Sequence, residues 1–287
     1  MTSAKLRALS DELHRISDAY SATCTWALTD LAGEGHIGHR EEEVLPPASL
    51  IKVPILVALY SAVAEGSVAL DGRVTYGPEH RCLGSGVLSK MSFGIEMTVR
   101  DAAMLMIIIS DNSATNMCID VVGLDYINAQ MRALGLRETT VFQRQGDPAA
   151  GLDGRRMWLS TAAEMARLFE LIGRHEAVSA EASEDMLRIL RRQDYRNELS
   201  GALPWNEMGS LGNPAVSWVA EKGGSFINGL RAGGAVFHGP NGSFAMSAFC
   251  EGGTGQGTGR QSEGNRTLAA LGLAAWEALA GSARSRT

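Results

Sequence analysis

The sequence predicts an α/β (α+β) protein in which both chain ends build one antiparallel five-stranded sheet, flanked by terminal helices, with a helical region inserted between. Three observations carry this. Short alternating segments bounded by Gly, Pro and Asn turns sit near the start (23–29) and near the end (216–250). Between them runs a series of apolar stretches with helical spacing. Each end of the chain carries one amphipathic helical stretch. The implied division is 1–48 with 201–287 for the sheet layer and 49–200 for the helical part, packed as one unit with a site between them.

Taken in order, Leu6, Leu9, Leu13 and Ile16 recur at spacings of three and four, so 4–19 reads as a surface helix. Residues 23–29 alternate as a strand, and a Gly-rich turn at Gly33 and Gly35 leads to a second. Pro46-Pro47 ends that strand, and a helix is expected from about Leu50, with Pro54 in its first turn. It is apolar on every side through Ala64, which places it deep inside. Helices are then expected at 99–109, 117–122, 126–134 (stopped by Gly135), 161–172 and 183–190. Pro204, Gly209, Gly212 and Pro214 mark a loop. Strands at 216–221, 231–237 and 244–250 follow, the last two joined by Gly239-Pro240-Asn241-Gly242, and 267–279 closes as a helix. Sequential strands near the C-terminus favour antiparallel pairing.

A net charge of −6 in 287 residues argues against a nucleic-acid partner, since phosphate binding needs a basic face. The longest apolar run, 51–64, is too short to span a membrane and contains Lys52 and Pro54. The opening residues lack the basic start, apolar run and cleavage site of a secretory leader. The expectation for the sequence as written is therefore cytoplasmic, or secreted or periplasmic if a leader has been removed. The four cysteines form no C-x-x-C pair, and the six histidines fall in no ligand framework, so no metal site is expected. The run Gly252 to Gly259 lacks the Lys-Ser/Thr of a phosphate loop and reads as a plain loop. A monomer or weak homo-oligomer is expected.

Three short elements carry chemistry. In Ser49-Leu50-Ile51-Lys52, side chains three apart share one helical face, so Ser49 at a helix start faces Lys52 a turn later. A serine hydroxyl is a weak nucleophile until a base takes its proton, and a lysine among Ile51, Val53, Ile55 and Leu56 has its pKa lowered by desolvation. Ser110-Asp111-Asn112 follows the apolar run 104–109 directly; alone it also fits a helix cap. Lys222-Gly223-Gly224 ends the strand 216–221, where two glycines let a substrate backbone approach.

In this order the three elements resemble the S-x-x-K, S-D-N and K-T-G signature of class A β-lactamases and penicillin-binding proteins. The similarity in character runs from about residue 20 to 280. The resemblance implies the β-lactamase/transpeptidase-like fold and a small-molecule acyl substrate, a β-lactam or another amide or ester. It implies that Ser49 forms an acyl-enzyme, that Lys52 helps take its proton, and that Ser110 and Lys222 act on the leaving nitrogen and the substrate carboxylate. It places Asn112 and Gly224 against the substrate, and the oxyanion between the backbone N–H groups of Ser49 and Ser225. Arg231 falls where such enzymes often keep an arginine for the carboxylate. No cofactor is implied.

Two departures bear on the reaction. Class A enzymes carry E-x-x-L-N, whose glutamate activates the deacylating water; here the region reads Gln143 to Gly151 without it. Asp147-Pro148 aligns with the Glu-Pro often found there, making Asp147 the expected water-activating residue, with Asp153 as a substitute. Gly223 replaces the usual threonine, removing a hydroxyl that holds a carboxylate. The alternatives therefore stay open: a non-lactam serine amidase, esterase or acyl-transferase of the same fold, or a sensor or binding module that is acylated once without turnover.

Overall fold

The computed structural model describes residues 3–33, 35–146, 154–204, 217–226, 229–254 and 259–281. Helix α1 (Ser3–Asp18) leads into the hairpin of β1 (Thr23–Asp30) and β2 (His36–His39). A single 3-10 turn, Ala48–Ile51, runs directly into α2 (Lys52–Ala64). A two-stranded ribbon of β3 (Arg73–Thr75) and β4 (Glu96–Thr98) precedes α3 (Val99–Ile108), α4 (Asn112–Val122) and α5 (Leu124–Ala133). A second ribbon pairs β5 (Thr140–Val141) with β6 (Trp158–Leu159), and α6 (Ala162–Gly173) and α7 (Ala180–Leu190) follow. The chain returns through β7 (Trp218–Ser225), β8 (Arg231–Gly239) and β9 (Gly242–Glu251) to α8 (Glu263–Leu279).

The five long strands form one sheet in the order β2-β1-β9-β8-β7, every neighbouring pair antiparallel. The two ends of the chain meet where β1 runs along β9, from Thr23 opposite Glu251 to Asp30 opposite Phe244. Strand alternation divides the side chains between two apolar clusters. Trp26, Leu28, Ala235, Phe237, Phe244 and Met246 face α1 and α8. Ala27, Ala232, Val236, Ala245 and Phe249 face the helical side, where α6 packs across the sheet.

Helix α2 is the centre of that second cluster. Every residue from Lys52 to Ala62 is buried, in keeping with its apolar character on all faces. Each fully buried Val, Leu or Ile there contributes roughly 1.5–3 kcal/mol relative to exposure. The helix thereby forms a rigid mount for whatever stands at its N-terminus.

The structure adjusts several boundaries read from sequence. The region read as wholly helical also holds the two short ribbons. Helix α4 starts at Asn112, five residues before the apolar segment at Met117, because Asp111 caps it by accepting from the Ala114 N–H. Helix α8 starts at Glu263, capped by Ser262. Strand β7 continues through Lys222, Gly223 and Gly224 to Ser225 instead of stopping at Glu221. Pairing with β8, Gly223 opposite Gly233 and Gly224 opposite Ala232, holds the two glycines extended. The Gly239 to Gly242 turn joins β8 to β9 as expected. No described helix is long and apolar enough to cross a membrane.

Candidate active site

Ser49 stands in the 3-10 turn that starts the buried helix, between Ala48 and Leu50, both buried. Ala48 has φ of 47°, a left-handed conformation that an L side chain adopts at a cost of order 1–3 kcal/mol. Ser110, in the connection between α3 and α4, has φ of 54°. Ser49, Ser110, Asn112, Lys222, Gly223, Gly224 and Ser225 all line one cleft of about 620 Å³. Its other walls come from Gly84, Ser85, Gly86 and Lys90, from Gln145 and Trp158, and from Tyr195, Asn197, Glu198 and Phe226.

Lys52 lies beneath this cleft and is fully buried. Its Nζ donates to the Ser110 carbonyl at 2.7 Å, to Ser110 Oγ at 3.0 Å and to Asn112 Oδ1 at 2.9 Å. An ammonium has three hydrogens, and all three are used. Its hydrogen bonds therefore run to the Ser110 element and not to Ser49 Oγ. Desolvation, with the charge of Lys222 adding to it, holds its pKa well below the usual lysine range, while Asp111 opposes the shift.

The Ser110-Asp111-Asn112 triplet is both a cap and a wall support. Asp111 Oδ1 accepts from the Ala114 N–H at 3.0 Å. Its Oδ2 accepts from the Val87 and Leu88 N–H groups at 2.6 and 2.9 Å. Asn112 Nδ2 donates to the Leu83 carbonyl at 2.9 Å. One aspartate and one asparagine thus fix the facing loop, and Asn112 keeps a second amide hydrogen beyond the one given to Leu83.

On the sheet side, β7 is an edge strand, so one flank of its backbone is left for the cleft. A Cβ at Gly224 would lie 2.7 Å from Ser49 N and from the Pro47 carbonyl oxygen, and 2.8 Å from Leu50 N. The close approach of this bare backbone to the helix start brings Ser225 and the Ser49 amide to the same cleft. Lys222 is buried, and its Nζ donates to the Gly223 carbonyl at 2.6 Å. Burial pushes its pKa down to about 8, against the opposing pull of Glu198 and Glu221.

Sequence reasoning missed two residues here. Glu198 is only 8% exposed, yet it lines the cleft. A Cβ built on Gly223 would lie 2.3 Å from Glu198 Oε2 and 2.4 Å from its Cδ, so this carboxyl fills the space a residue-223 side chain would take. Burial and then the neighbouring Glu221 push Glu198 up to about 7, with Lys222 opposing. Glu221 itself is raised by burial, opposed by Arg196, 3.4 Å away, and by a hydrogen bond from Ser200. The signal for Glu198 was faint: a loop carboxylate far from Gly223 along the chain, in no motif.

The second is Gln145. Its backbone is clamped to α4 on both sides: its N–H donates to Asn116 Oδ1 at 2.8 Å, and its carbonyl accepts from Asn116 Nδ2 at 3.0 Å. Trp158 Nε1 secures the same loop at the Gln143 carbonyl, 3.1 Å away. Gln145 Oε1 is buried and has no hydrogen-bond partner among the described residues. A carboxamide oxygen accepts hydrogen bonds but is no base at neutral pH, so it can hold a water without deprotonating it. Asp147 and Asp153 lie outside the described residues.

Arg231 requires a correction. It is fully buried and is not among the cleft residues. Its Nη1 donates to the Phe226 and Leu230 carbonyls at 2.7 and 2.5 Å. A Cβ at Gly264 would touch Arg231 Cγ at 2.8 Å, which places the side chain at the start of α8, on the far side of the sheet. Strand alternation explains this: Ala232 packs with the helical-side cluster, so Arg231 points the other way. Among the described residues, no group of three or more His, Cys, Asp or Glu side chains is placed to hold a metal.

Compared with known proteins, residues 8–279 match the family described as Beta-lactamase enzyme family. Beta-lactamase L2 of Stenotrophomonas maltophilia is 33% identical over 109 residues, 38% of this chain and 36% of that protein. That match therefore spans about a third of the relative's length. The structure of a beta-lactamase from Sphaerobacter thermophilus superposes with a TM-score of 0.80 at 25% identity, covering 97% of this chain and 98% of that one. PBP-A gives the same TM-score of 0.80 and identity of 25%, covering 94% and 95% of the two chains. With a family match from residue 8 to residue 279 and one fold shared from end to end, this chain belongs to the beta-lactamase enzyme family.

Proposed function

We propose that the protein is a serine hydrolase that forms an acyl-enzyme at Ser49 and acts on a β-lactam or a related cyclic amide. The observation that carries this reading is the placement of Ser49, Ser110, Asn112 and Lys222 around one cleft, with Lys52 hydrogen-bonded directly beneath it. In the first step Ser49 Oγ adds to the substrate carbonyl, and its proton passes to neutral Lys52. Burial and Lys222 favour that neutral form. Once neutral, the amine keeps two donors and gains a lone pair for the incoming proton. The oxyanion lies between the Ser49 and Ser225 amides; losing one such donor typically costs about 10²–10³ in rate. The C–N bond then breaks, with Ser110 relaying a proton from Lys52 to the departing nitrogen. Asn112 and Lys222 hold the substrate on either side.

Deacylation needs a water set against the ester carbonyl. Gln145 Oε1, buried and without a partner among the described residues, is the acceptor that orients it. Asp147, two residues further on, is the carboxylate available to take the proton. A second reading is supported by the same loop. The cleft meets a carboxamide where a lactam hydrolase needs a general base, which suits an amidase, esterase or acyl-transferase whose acyl group leaves by another acceptor.

Incubation with a chromogenic cephalosporin and a panel of p-nitrophenyl esters, followed by intact mass, separates these readings. Sustained lactam turnover supports the first, and ester turnover without lactam turnover supports the second. A stable mass increase that is lost in Ser49→Ala marks acylation without turnover. Activity unchanged in Ser49→Ala removes the nucleophile assignment.

A further inference from the structure

The end of the cleft beside Lys222 differs in charge from what its motif implies. In the resemblance described above, a lysine and a threonine hydroxyl together hold a substrate carboxylate. Here position 223 has no side chain, and the Glu198 carboxyl stands in the space one would fill, with Oε2 2.3 Å from the ideal Cβ position. The one cation on this strand, Lys222, is therefore offset by an acid that is itself almost wholly buried. Arg231 lies outside the cleft wall, its Nη1 bonded to the Phe226 and Leu230 carbonyls, and its charge acts on Glu198 from the face of the sheet away from Ser49. Lys90 lines the opposite loop wall, next to the Gly86 carbonyl.

We infer that Glu198 sets the specificity of this subsite, and that the substrate presents an N–H donor there, as a primary carboxamide, in place of a carboxylate. The inference rests on the acyl-enzyme reading and names its substrate class. A carboxamide nitrogen donates to Glu198 while its oxygen accepts from Lys222, so both buried groups are satisfied at once. A carboxylate can satisfy only Lys222 and meets Glu198 as a like charge, which disfavours it. Buried polar groups left unmatched are the strongest source of discrimination between substrates of similar shape.

The test uses two esters with one acyl group and matched leaving groups, lactic acid and lactamide. Acylation transfers the acyl group to Ser49 Oγ, breaks the ester C–O bond and returns the proton to the departing hydroxyl. The expected kcat/KM for the lactamide ester exceeds that for the lactate ester at least tenfold at pH 8. Glu198→Gln, close to isosteric, brings the ratio within about threefold of unity. The pair Gly223→Thr with Glu198→Ala inverts it in favour of the carboxylate. Equal or better use of the lactate ester by the wild type, or an unchanged ratio in Glu198→Gln, overturns the inference while leaving acylation standing. If neither ester labels Ser49 by mass, it is the acyl-enzyme reading that has failed. Calorimetric binding of the same esters to Ser49→Ala then decides the subsite: tenfold tighter carboxamide binding supports it, and equal or reversed affinity overturns it.

Discussion

Lys52 sits fully buried with its three N–H groups held by Ser110 and Asn112, and this arrangement sets the expected behaviour of its variants. Removing it leaves three buried acceptors without a donor, which costs stability. It also removes a charge whose burial is itself unfavourable. The two effects oppose, so Lys52→Ala is expected to shift the melting temperature by only a few degrees while lowering the acylation rate about 10²–10⁴-fold, the usual scale for losing a general base. A folded Lys52→Ala protein that acylates at the wild-type rate would take the base role from this residue. Gln145 carries the opposite prediction. Its loop is already fixed by Asn116 and Trp158, so Gln145→Glu places a carboxylate where an amide now stands without moving the backbone. Deacylation in a lactam chase is expected to accelerate at least tenfold, with the acylation burst unchanged. Asp147→Asn is expected to slow deacylation alone; equal slowing of the burst excludes Asp147 as the water's base.

At the scale of elements, β7 shows what the sequence could and could not tell. Its lysine and glycines were visible as a motif, but their place inside the strand was not. Two adjacent glycines read locally as a strand end, and only pairing with β8 keeps them extended. The apolar run of α2 likewise announced a buried helix, and the Ser49–Lys52 spacing placed both residues at its start. Glu198 and Gln145 were illegible for a different reason. Each enters the cleft through a contact between segments distant in the chain, Glu198 against Gly223 and Gln145 through Asn116, and no local period encodes such contacts. Arg231 was placed by resemblance alone, which names its strand and not its face; alternation with Ala232 turns its side chain toward the start of α8. The close packing of β7 on the turn holding Ser49 yields its own prediction. A methyl group at 224 would press on backbone atoms of Pro47, Ser49 and Leu50 that cannot rotate away. Gly224→Ala should therefore part β7 from the helix start and lower the acylation rate at least 100-fold, with an unchanged circular-dichroism spectrum. Wild-type burst kinetics in this variant would show that the two amides are not aligned by this contact.

Across the whole molecule, the interface between sheet and helices buries ionisable groups that a purely structural core would not contain. Lys52 and Lys222 lie where β7 meets the helical side, Glu221 and Glu198 on the opposite face of the same edge strand, and each is shifted by burial toward its neutral form. The consequence is a pH dependence of folding opposite to that of an ordinary salt-bridged carboxylate. Glu198 titrates near 7 when folded, against 4.5 for the free group. Between those values the native state holds a proton that the unfolded chain has released, so stability falls as pH rises, by at most about 1.4 kcal/mol per pH unit from this residue. Lys222 titrates near 8 when folded and 10.5 when free, so between those values the unfolded chain holds the extra proton and stability rises with pH. Both groups are charged and buried between about pH 7 and 8, where their combined contribution is least favourable. Glu198→Gln cannot ionise, and its advantage over the wild type in chemical denaturation should grow from pH 5 to pH 7 and level off above. Denaturation midpoints measured in parallel at those pH values would show a constant difference if Glu198 were an ordinary surface carboxylate. A widening one places the cost in stability at Glu198, a buried carboxyl in the wall of the cleft that Ser49 also lines.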